Sequence, residues 1–324
     1  MAEINNKICT PIANLDEMTR REWLEKRREG IGGSDAGAVL GMNEYKSPIS
    51  VWQEKTNRTP IDESDNDYLR IGRDLEDYVA GRFEEKTGLK VYKCRDMLQS
   101  VEHPFMFADV DRLVEGEDAG LEIKTVSPYK SGDWDGGNIP KHYELQCNHY
   151  MAVTGLSRWY ICALIYPHIE IRVIERDDEL IDTLITLEKD FWDKYVTADE
   201  MPPVDGSRAT SEVLNSVYPE AAPESIELDD LEALMKRRDE ALDMYERLDD
   251  EIEEIENIIK SKMGRAETAF IGDYKVTWGN RKAREMADTK KMKEDGIFDQ
   301  YKKVGRPYRV FSVKNMKNGV PRNE

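Results

Sequence analysis

The residues best placed to do chemistry lie in 107–124, FADVDRLVEGEDAGLEIK. Asp111 closes one apolar run, and after a turn-like segment comes Gly120-Leu121-Glu122-Ile123-Lys124. Side chains alternate faces along a strand. Leu121 and Ile123 therefore point to a core, and Glu122 and Lys124 share the opposite face. Two carboxylates brought together from successive strands, Asp111 and Glu122, can hold a hard cation such as Mg²⁺. A lysine beside them can orient a water near a phosphate. These are the parts that metal-assisted phosphodiester hydrolysis requires. The same letters also describe a solvated edge strand and a D-x-D turn, so the surrounding segments must decide.

Two helices can complete such a site. In the helix expected over 68–87, Glu76 stands at helical spacing from Val79 and Phe83, beside the apolar stripe. An acid facing the protein needs a partner; a metal or Lys124 would serve, and a rim glutamate with its stem along the apolar face reads equally well. In the helix over 140–153, Ile139, Tyr143, Gln146, Tyr150 and Val153 fall on one face. A glutamine in that seam must satisfy both donor and acceptor. It can hold the attacking water or Lys124, or bond a loop backbone. Further upstream, Arg27 and Ser34 flank the glycine break 30–33 before a short helix over 36–40. A helix N-terminus offers free N–H groups and a positive dipole end to a phosphate, although a glycine turn before a capped helix is also a common structural device. The G-K-[ST] ending of a nucleotide P-loop is missing, so ATP is not indicated.

Other helices are expected over 15–28, 48–55 (Ser47 as N-cap, Pro48 first) and 177–196. Strands are expected over 90–101, 105–114, 121–126, 159–166 and 169–175. This α/β (α+β) pattern divides the chain into a nuclease-sized domain over 1–200, a proline-bearing linker over 201–226, a long helix over 227–264 and a small basic region over 265–324. In the long helix Ala241, Tyr245, Leu248, Ile252, Ile255 and Ile259 form a heptad seam. One arm of an intramolecular pair and self-association fit it equally. The basic region carries strand-like pieces over 274–278 and 308–313.

Composition bounds the reading. The 324 residues are 35% charged and 39% hydrophobic, which suits a soluble globular protein, and no apolar run has membrane-spanning length. The opening MAEINNKICTPI lacks a charged segment followed by an apolar one, so a cytoplasmic protein is expected. Cys9, Cys94, Cys147 and Cys162 form no CxxC pair, and the four histidines are scattered, which argues against zinc and iron–sulfur sites. The net charge is −19, with −10 in 227–256, +9 in 257–324 and −18 in 1–226. Such a chain has no long-range basic footprint and should not bind duplex tightly as an isolated monomer. It can still act on DNA if its cations line one channel.

Together these segments resemble the YqaJ-type viral recombinase family, phage alkaline exonucleases related to lambda exonuclease within the PD-(D/E)xK nuclease superfamily. W-x3-R-x2-G-I-G-x-S stands at 23–34, G-x3-E at 72–76, the acid before R-L-V is Asp111, L-E-I-K-T follows at 121–125, and ELQCNHYMAVT occupies 144–154. The resemblance spans about 23–196 and more loosely the C-terminal part. It implies a restriction-endonuclease-like core, a central mixed sheet flanked by helices. It also implies Asp111, Glu122, Lys124 and Gln146 as the catalytic set, and Asp111, Glu122, Glu76 and the Ile123 carbonyl as ligands of Mg²⁺, for which Mn²⁺ would substitute. Arg27 and Ser34 would bind a 5′-phosphate. The implied activity is 5′→3′ exonucleolysis of linear double-stranded DNA, leaving 3′ tails for a RecT-like single-strand annealing protein. A ring-shaped homo-oligomer, a trimer by preference, and a phage or prophage setting in a bacterial host complete the picture. Asp109 departs from a serine of the lambda relative and would repel phosphate. Asn148 replaces a second glutamine and should lie off the seam. A structure-selective endonuclease on the same core and a non-catalytic DNA-end-binding scaffold are the alternatives. The first is separated by cutting of closed circles, and the second is disfavoured by the intact Asp111, Glu122 and Lys124.

Overall fold

The computed structural model describes residues 5–61, 67–283, 286–305 and 309–313. The chain divides into two compact units, Met1–Tyr218 and Pro219–Glu324. The first unit begins β1 (Cys9–Asn14), α1 (Arg20–Arg27), β2 (Ile31–Gly32), α2 (Gly33–Val39), α3 (Pro48–Lys55) and α4 (Asp67–Thr87). It continues with β3 (Val91–Lys93), β4 (Asp96–Ser100), β5 (Met106–Ala108), β6 (Arg112–Val114) and β7 (Ala119–Val126), then 3₁₀ turns over Pro128–Gly137. It closes with α5 (Lys141–Thr154), β8 (Arg158–Ile165), β9 (His168–Glu175), α6 (Asp178–Phe191) and α7 (Arg208–Val217).

Local chemistry sets the ends of these elements. Thr19 and Glu22 form a reciprocal capping box at the start of α1. Ser47 caps α3, with Pro48 in the first turn. α4 and α5 stop at Gly88 and Gly155, each at φ +76°, a left-handed conformation that favours glycine.

Five strands form the main sheet in the order β3-β6-β7-β8-β9. β3, β6 and β7 are antiparallel neighbours, β8 runs parallel to β7, and β9 is antiparallel to β8. A parallel pair needs a crossover, and α5 supplies it. α4 covers one face, packing Val79, Ala80 and Phe83 against Leu121, Ile123 and Cys162. α5 covers the other, packing Cys147, Tyr150 and Met151 against Trp159 and Ile161. Helix, antiparallel strands, crossover helix and parallel strand are the mixed α/β order of a restriction-endonuclease-like core. Gly120 is needed there, because a Cβ on it would stand 2.4 Å from the Trp159 ring. A second sheet, β1-β4-β5-β2, contributes Leu98 and Met106 to the same core as α5, so this helix is buried along most of its length.

Three expectations change. The runs 90–101 and 105–114 each divide between the two sheets: β3 and β6 belong to one, β4 and β5 to the other. Val110, in the second crossing, is only 2% exposed, so the apolar pattern runs through the break without marking it. β1 had no counterpart in the sequence reading. The stretch 201–226, expected as a linker, contains α7, whose Ala209 and Thr210 are buried.

The second unit holds α8 (Glu232–Met263) and a hairpin of β10 (Thr268–Ile271) and β11 (Tyr274–Thr277). Of the strand expected at 308–313, Tyr308 lies outside the described residues and 309–313 have no regular structure. No described helix is long and apolar enough to cross a membrane.

Candidate active site

β7 runs down the middle of the main sheet, and its alternation divides labour. Leu121 and Ile123 are buried against α4, and Glu122 and Lys124 face the α5 side. Lys124 Nζ lies 2.6 Å from Glu122 Oε1 and donates to Gln146 Oε1 at 3.0 Å. Gln146 Nε2 donates to the same Glu122 oxygen at 2.7 Å and to Tyr150 Oη at 3.0 Å. The glutamine thus bridges the strand pair and the helix with both of its functional atoms. Asp111 arrives from the link between β5 and β6, and its Oδ2 accepts the Ile123 N–H at 2.7 Å. That bond pins the carboxylate to β7 one residue from Glu122.

Burial and charge shift all three titratable groups of this cluster. Burial raises the Asp111 carboxyl well above its ordinary range, and the Glu122 charge adds to the effect. Burial raises Glu122 as well, against the pull of Lys124. Burial alone would lower Lys124, yet Glu122, Tyr143 and Asp111 outweigh it and keep the ammonium charged. Glu122 Oε2 is buried with no hydrogen-bond partner among the described residues. Two crowded carboxylates, one with an orphaned oxygen, fit a hard divalent cation. Among the described residues no three His, Cys, Asp or Glu side chains form a cage. Asp111 and Glu122 are the carboxylates this cluster offers, and so few protein oxygens suit a cation that keeps several waters.

Glu76 is placed differently from its expected partners. Its carboxylate bonds Arg112 Nη1, while Arg112 Nη2 meets Asp77 Oδ1 at 2.5 Å. Arg112 is 4% exposed and reaches from β6 to α4. Glu76 still lines the same cleft as Asp111, Glu122 and Lys124, a space of about 1240 Å³.

Arg27 and Ser34 line this cleft too. Arg27 Nη2 donates to Ser34 Oγ at 2.6 Å, and its guanidinium lies 4.9 Å from the Trp23 ring centre. Beneath them sits Asp35, fully buried. It is the third residue of α2, with Lys46 and Lys55 each 2.7 Å away and Arg27 3.7 Å away. Burial alone would raise Asp35, but these three cations hold it well below the usual carboxylate range. Gly33 lets α2 approach α5, since a Cβ there would meet the Tyr150 ring at 2.5 Å.

Asp109 and Asn148, read as departures from the family pattern, take structural roles, and a buried His149–Glu188 pair stands near them. Trp23 Nε1 donates to Asp109 Oδ2 at 2.7 Å, so Asp109 belongs to the cleft wall and supports the indole under Arg27. Asn148 is buried at 1% exposure, and its amide bonds the Glu144 carbonyl. His149 and Glu188 form a fully buried pair at 2.8 Å, and His149 Nε2 lies 2.8 Å from the Phe107 carbonyl. One signal was available for Asp35: an acid inside the small-residue run GSDAGAV of a short helix. The Trp23–Asp109 and His149–Glu188 contacts join segments far apart in sequence.

The fold and cleft define a protein with a restriction-endonuclease-like core and a carboxylate–lysine–glutamine site at its central strand. Residues 22–157 match the family described as the YqaJ-like viral recombinase domain. The chain is 38% identical over 322 residues to the uncharacterized protein YqaJ of Bacillus subtilis (strain 168), covering 97% of this chain and all of that protein. The chain belongs to the YqaJ-like viral recombinase family. Among solved structures, the alkaline exonuclease LHK-Exo of Laribacter hongkongensis is 20% identical, with a TM-score of 0.45 over 62% of this chain and all of that one. A phage-related exonuclease of Haemophilus somnus 129PT is 14% identical, with a TM-score of 0.39 over 55% of this chain and all of its own.

Proposed function

We propose that this chain is a Mg²⁺-dependent exonuclease that degrades linear double-stranded DNA in the 5′→3′ direction during recombination. The observation that carries the reading is the Asp111–Glu122–Lys124–Gln146 cluster, with its orphaned Glu122 oxygen, in one cleft with Arg27 and Ser34. Asp111, Glu122 and the Ile123 carbonyl would hold the cation, with Mn²⁺ as a substitute, and Glu76 would join them on leaving Arg112. When bound, such a cation supplies Lewis-acid charge to a phosphate oxygen and favours ionisation of a water.

The chain's own residues do the rest. Lys124, kept as an ammonium, donates hydrogen bonds and offsets charge on the scissile phosphate. Gln146 orients Lys124 through one atom and Glu122 through the other, and Tyr150 holds the amide in that orientation. Arg27 and Ser34 would take the 5′-phosphate of the end being shortened, a charge-assisted contact. The 3′ tails left behind would load a RecT-like annealing protein. With a net charge of −19, hold on the track by topology is more economical than attraction, which favours a ring-shaped homo-oligomer, a trimer by preference, around the duplex.

The test is a time course on 5′-phosphorylated duplex, linear or closed circular, in Mg²⁺ or in EDTA, with the label at either end. Early release of the 5′ label from linear DNA in Mg²⁺, with circles untouched, is expected. Nicking of circles would replace this reading with an endonuclease, and binding of ends without cleavage in Mg²⁺ would replace it with a scaffold.

A further inference from the structure

We propose that Lys46 is a positioning residue that keeps Arg27 free for a 5′-phosphate, by occupying the carboxylate that would otherwise neutralise it. This role rests on the end-binding function proposed for Arg27 and Ser34. A buried carboxylate beside an arginine is ordinarily its ion-pair partner, often closed by two parallel hydrogen bonds. Asp35 is such a carboxylate, yet Arg27 Nη2 stands off at 3.7 Å from its Oδ1. Lys46 Nζ takes that same oxygen at 2.7 Å. Lys55 Nζ, itself buried, takes Oδ2 at 2.7 Å, and the Gly32 N–H donates to Oδ2 at 3.2 Å. Both oxygens of Asp35 are therefore filled by groups closer than Arg27.

The other acids around Arg27, Glu54 and Asp109, are occupied as well. Glu54 accepts from Lys46 through Oε2, and Asp109 accepts from the Trp23 indole. Among the described residues no carboxylate lies within hydrogen-bond distance of the Arg27 guanidinium, which donates instead to Ser34 Oγ at 2.6 Å. Lys55 also donates to the Arg27 carbonyl at 2.7 Å, which ties the end of α1 to the same network. Arg27, Lys46 and Lys55 meet only Asp35 and Glu54 here, so one positive charge is left over. The geometry leaves it on the guanidinium that lines the cleft. An arginine sealed to a buried carboxylate would have no net charge to offer a phosphate. Without Lys46, Oδ1 of Asp35 is open and Arg27 can close the gap and turn inward. Lys46 is also the member of the network most readily changed, since its side chain is 24% exposed while those of Asp35 and Lys55 are fully buried.

The test is competition between 5′-phosphorylated and 5′-hydroxyl duplex ends for the full chain, read by anisotropy in EDTA as the ratio of the two affinities. A loosened fold weakens both ends alike and leaves that ratio, whereas release of Asp35 onto Arg27 lowers it. Lys46→Met should lower the ratio about tenfold, the low end for a charge-assisted contact. Lys46→Met/Asp35→Asn should regain the parental ratio, because Asn keeps an oxygen for Lys55 and the Gly32 N–H but no longer draws Arg27 inward. Lys46→Met/Glu54→Gln has the same net charge as that double variant, yet should stay low, because Asp35 remains. A parental ratio in Lys46→Met, beside a ratio lowered by Arg27→Ala, overturns this role for Lys46 and leaves the phosphate pocket standing. A low ratio in the Asp35 double variant overturns it too, as does a restored ratio in the Glu54 double variant, which decides alone if the Asp35 variant does not fold. Equal affinity of the parent for both ends overturns the pocket and the role of Lys46 with it.

Discussion

Lys124 has two neighbours within hydrogen-bond reach, Glu122 and Gln146, and no second positive group stands with it on β7. Lys124→Ala should therefore lower cleavage by ~10²–10⁴-fold, the range for positioned electrostatic groups. End binding, measured by anisotropy of labelled duplex, should survive, and near-parental cleavage would remove Lys124 from the site. Asp111→Asn keeps an oxygen for the Ile123 N–H while deleting one of two crowded charges. In EDTA its melting temperature should equal or exceed that of the parent, because adjacent buried carboxylates repel. Mg²⁺ or Mn²⁺ should raise the melting temperature of the parent and leave the variant unmoved. A metal response in Asp111→Asn equal to the parent's would place the cation elsewhere. Arg27 should make 5′-phosphorylated ends better substrates than 5′-hydroxyl ends. Arg27→Ala should shrink that preference by about 1.5–3 kcal/mol, the worth of a charge-assisted hydrogen bond. An unchanged preference in competition assays would move the pocket.

Between elements, the buried His149–Glu188 pair ties α5 to α6 and, through the Phe107 carbonyl, to β5 next to the Asp109–Asp111 link. Burial alone would lower His149, but Glu188 and the Phe107 carbonyl raise it above its ordinary value, and burial raises Glu188. Both directions keep a proton on the pair. The unfolded histidine titrates near about 6.5, so above that pH folding takes up a proton. The stability supplied by the pair is complete below about pH 6.5 and is lost as pH rises through the raised folded value. Urea midpoints from pH 6 to 9 should fall with pH in the parent and fall less in a His149→Leu/Glu188→Leu variant. Equal slopes would show that the pair does not carry the proton. This pair also marks where sequence legibility stops. The alternation that separates Leu121 and Ile123 from Glu122 and Lys124 is local, and so is the helical spacing that sets Gln146 between Tyr143 and Tyr150. Both could be read without a fold. The Arg112–Glu76 contact, the Trp23–Asp109 bond and the His149–Glu188 pair join segments 36, 86 and 39 residues apart. No periodicity encodes such distances. The change of sheet at Asp109–Asp111 was hidden for another reason: Val110 is as buried as a strand residue, so the apolar pattern does not register that the chain has left one sheet for another.

At the scale of the whole molecule, chemistry and charge are distributed unequally along the chain. All of the proposed catalytic, metal and phosphate residues lie in Met1–Tyr218, a unit with its own core. Pro219–Glu324 contributes a long helix, a two-stranded hairpin and the basic end of the sequence. α7 belongs to the first unit, with Ala209 and Thr210 buried and Val213 packed beside Val51 and Phe191. A chain stopped near 200 would remove that packing and should be less stable. A chain ending at Tyr218 should keep α7, fold cooperatively and cut short linear duplexes at a rate close to that of the full chain. What it should lose is length-dependent behaviour. The run of nucleotides released per encounter should shorten, because the basic segment and the heptad seam of α8 are both gone. A processivity assay with a DNA trap, run beside a mass measurement on the same two chains, separates these contributions. A truncated chain with shortened runs but full assembly mass assigns processivity to DNA contacts of the basic segment. Shortened runs with reduced mass assign it to assembly. Unchanged runs and unchanged mass would show that the C-terminal third of the chain serves neither purpose.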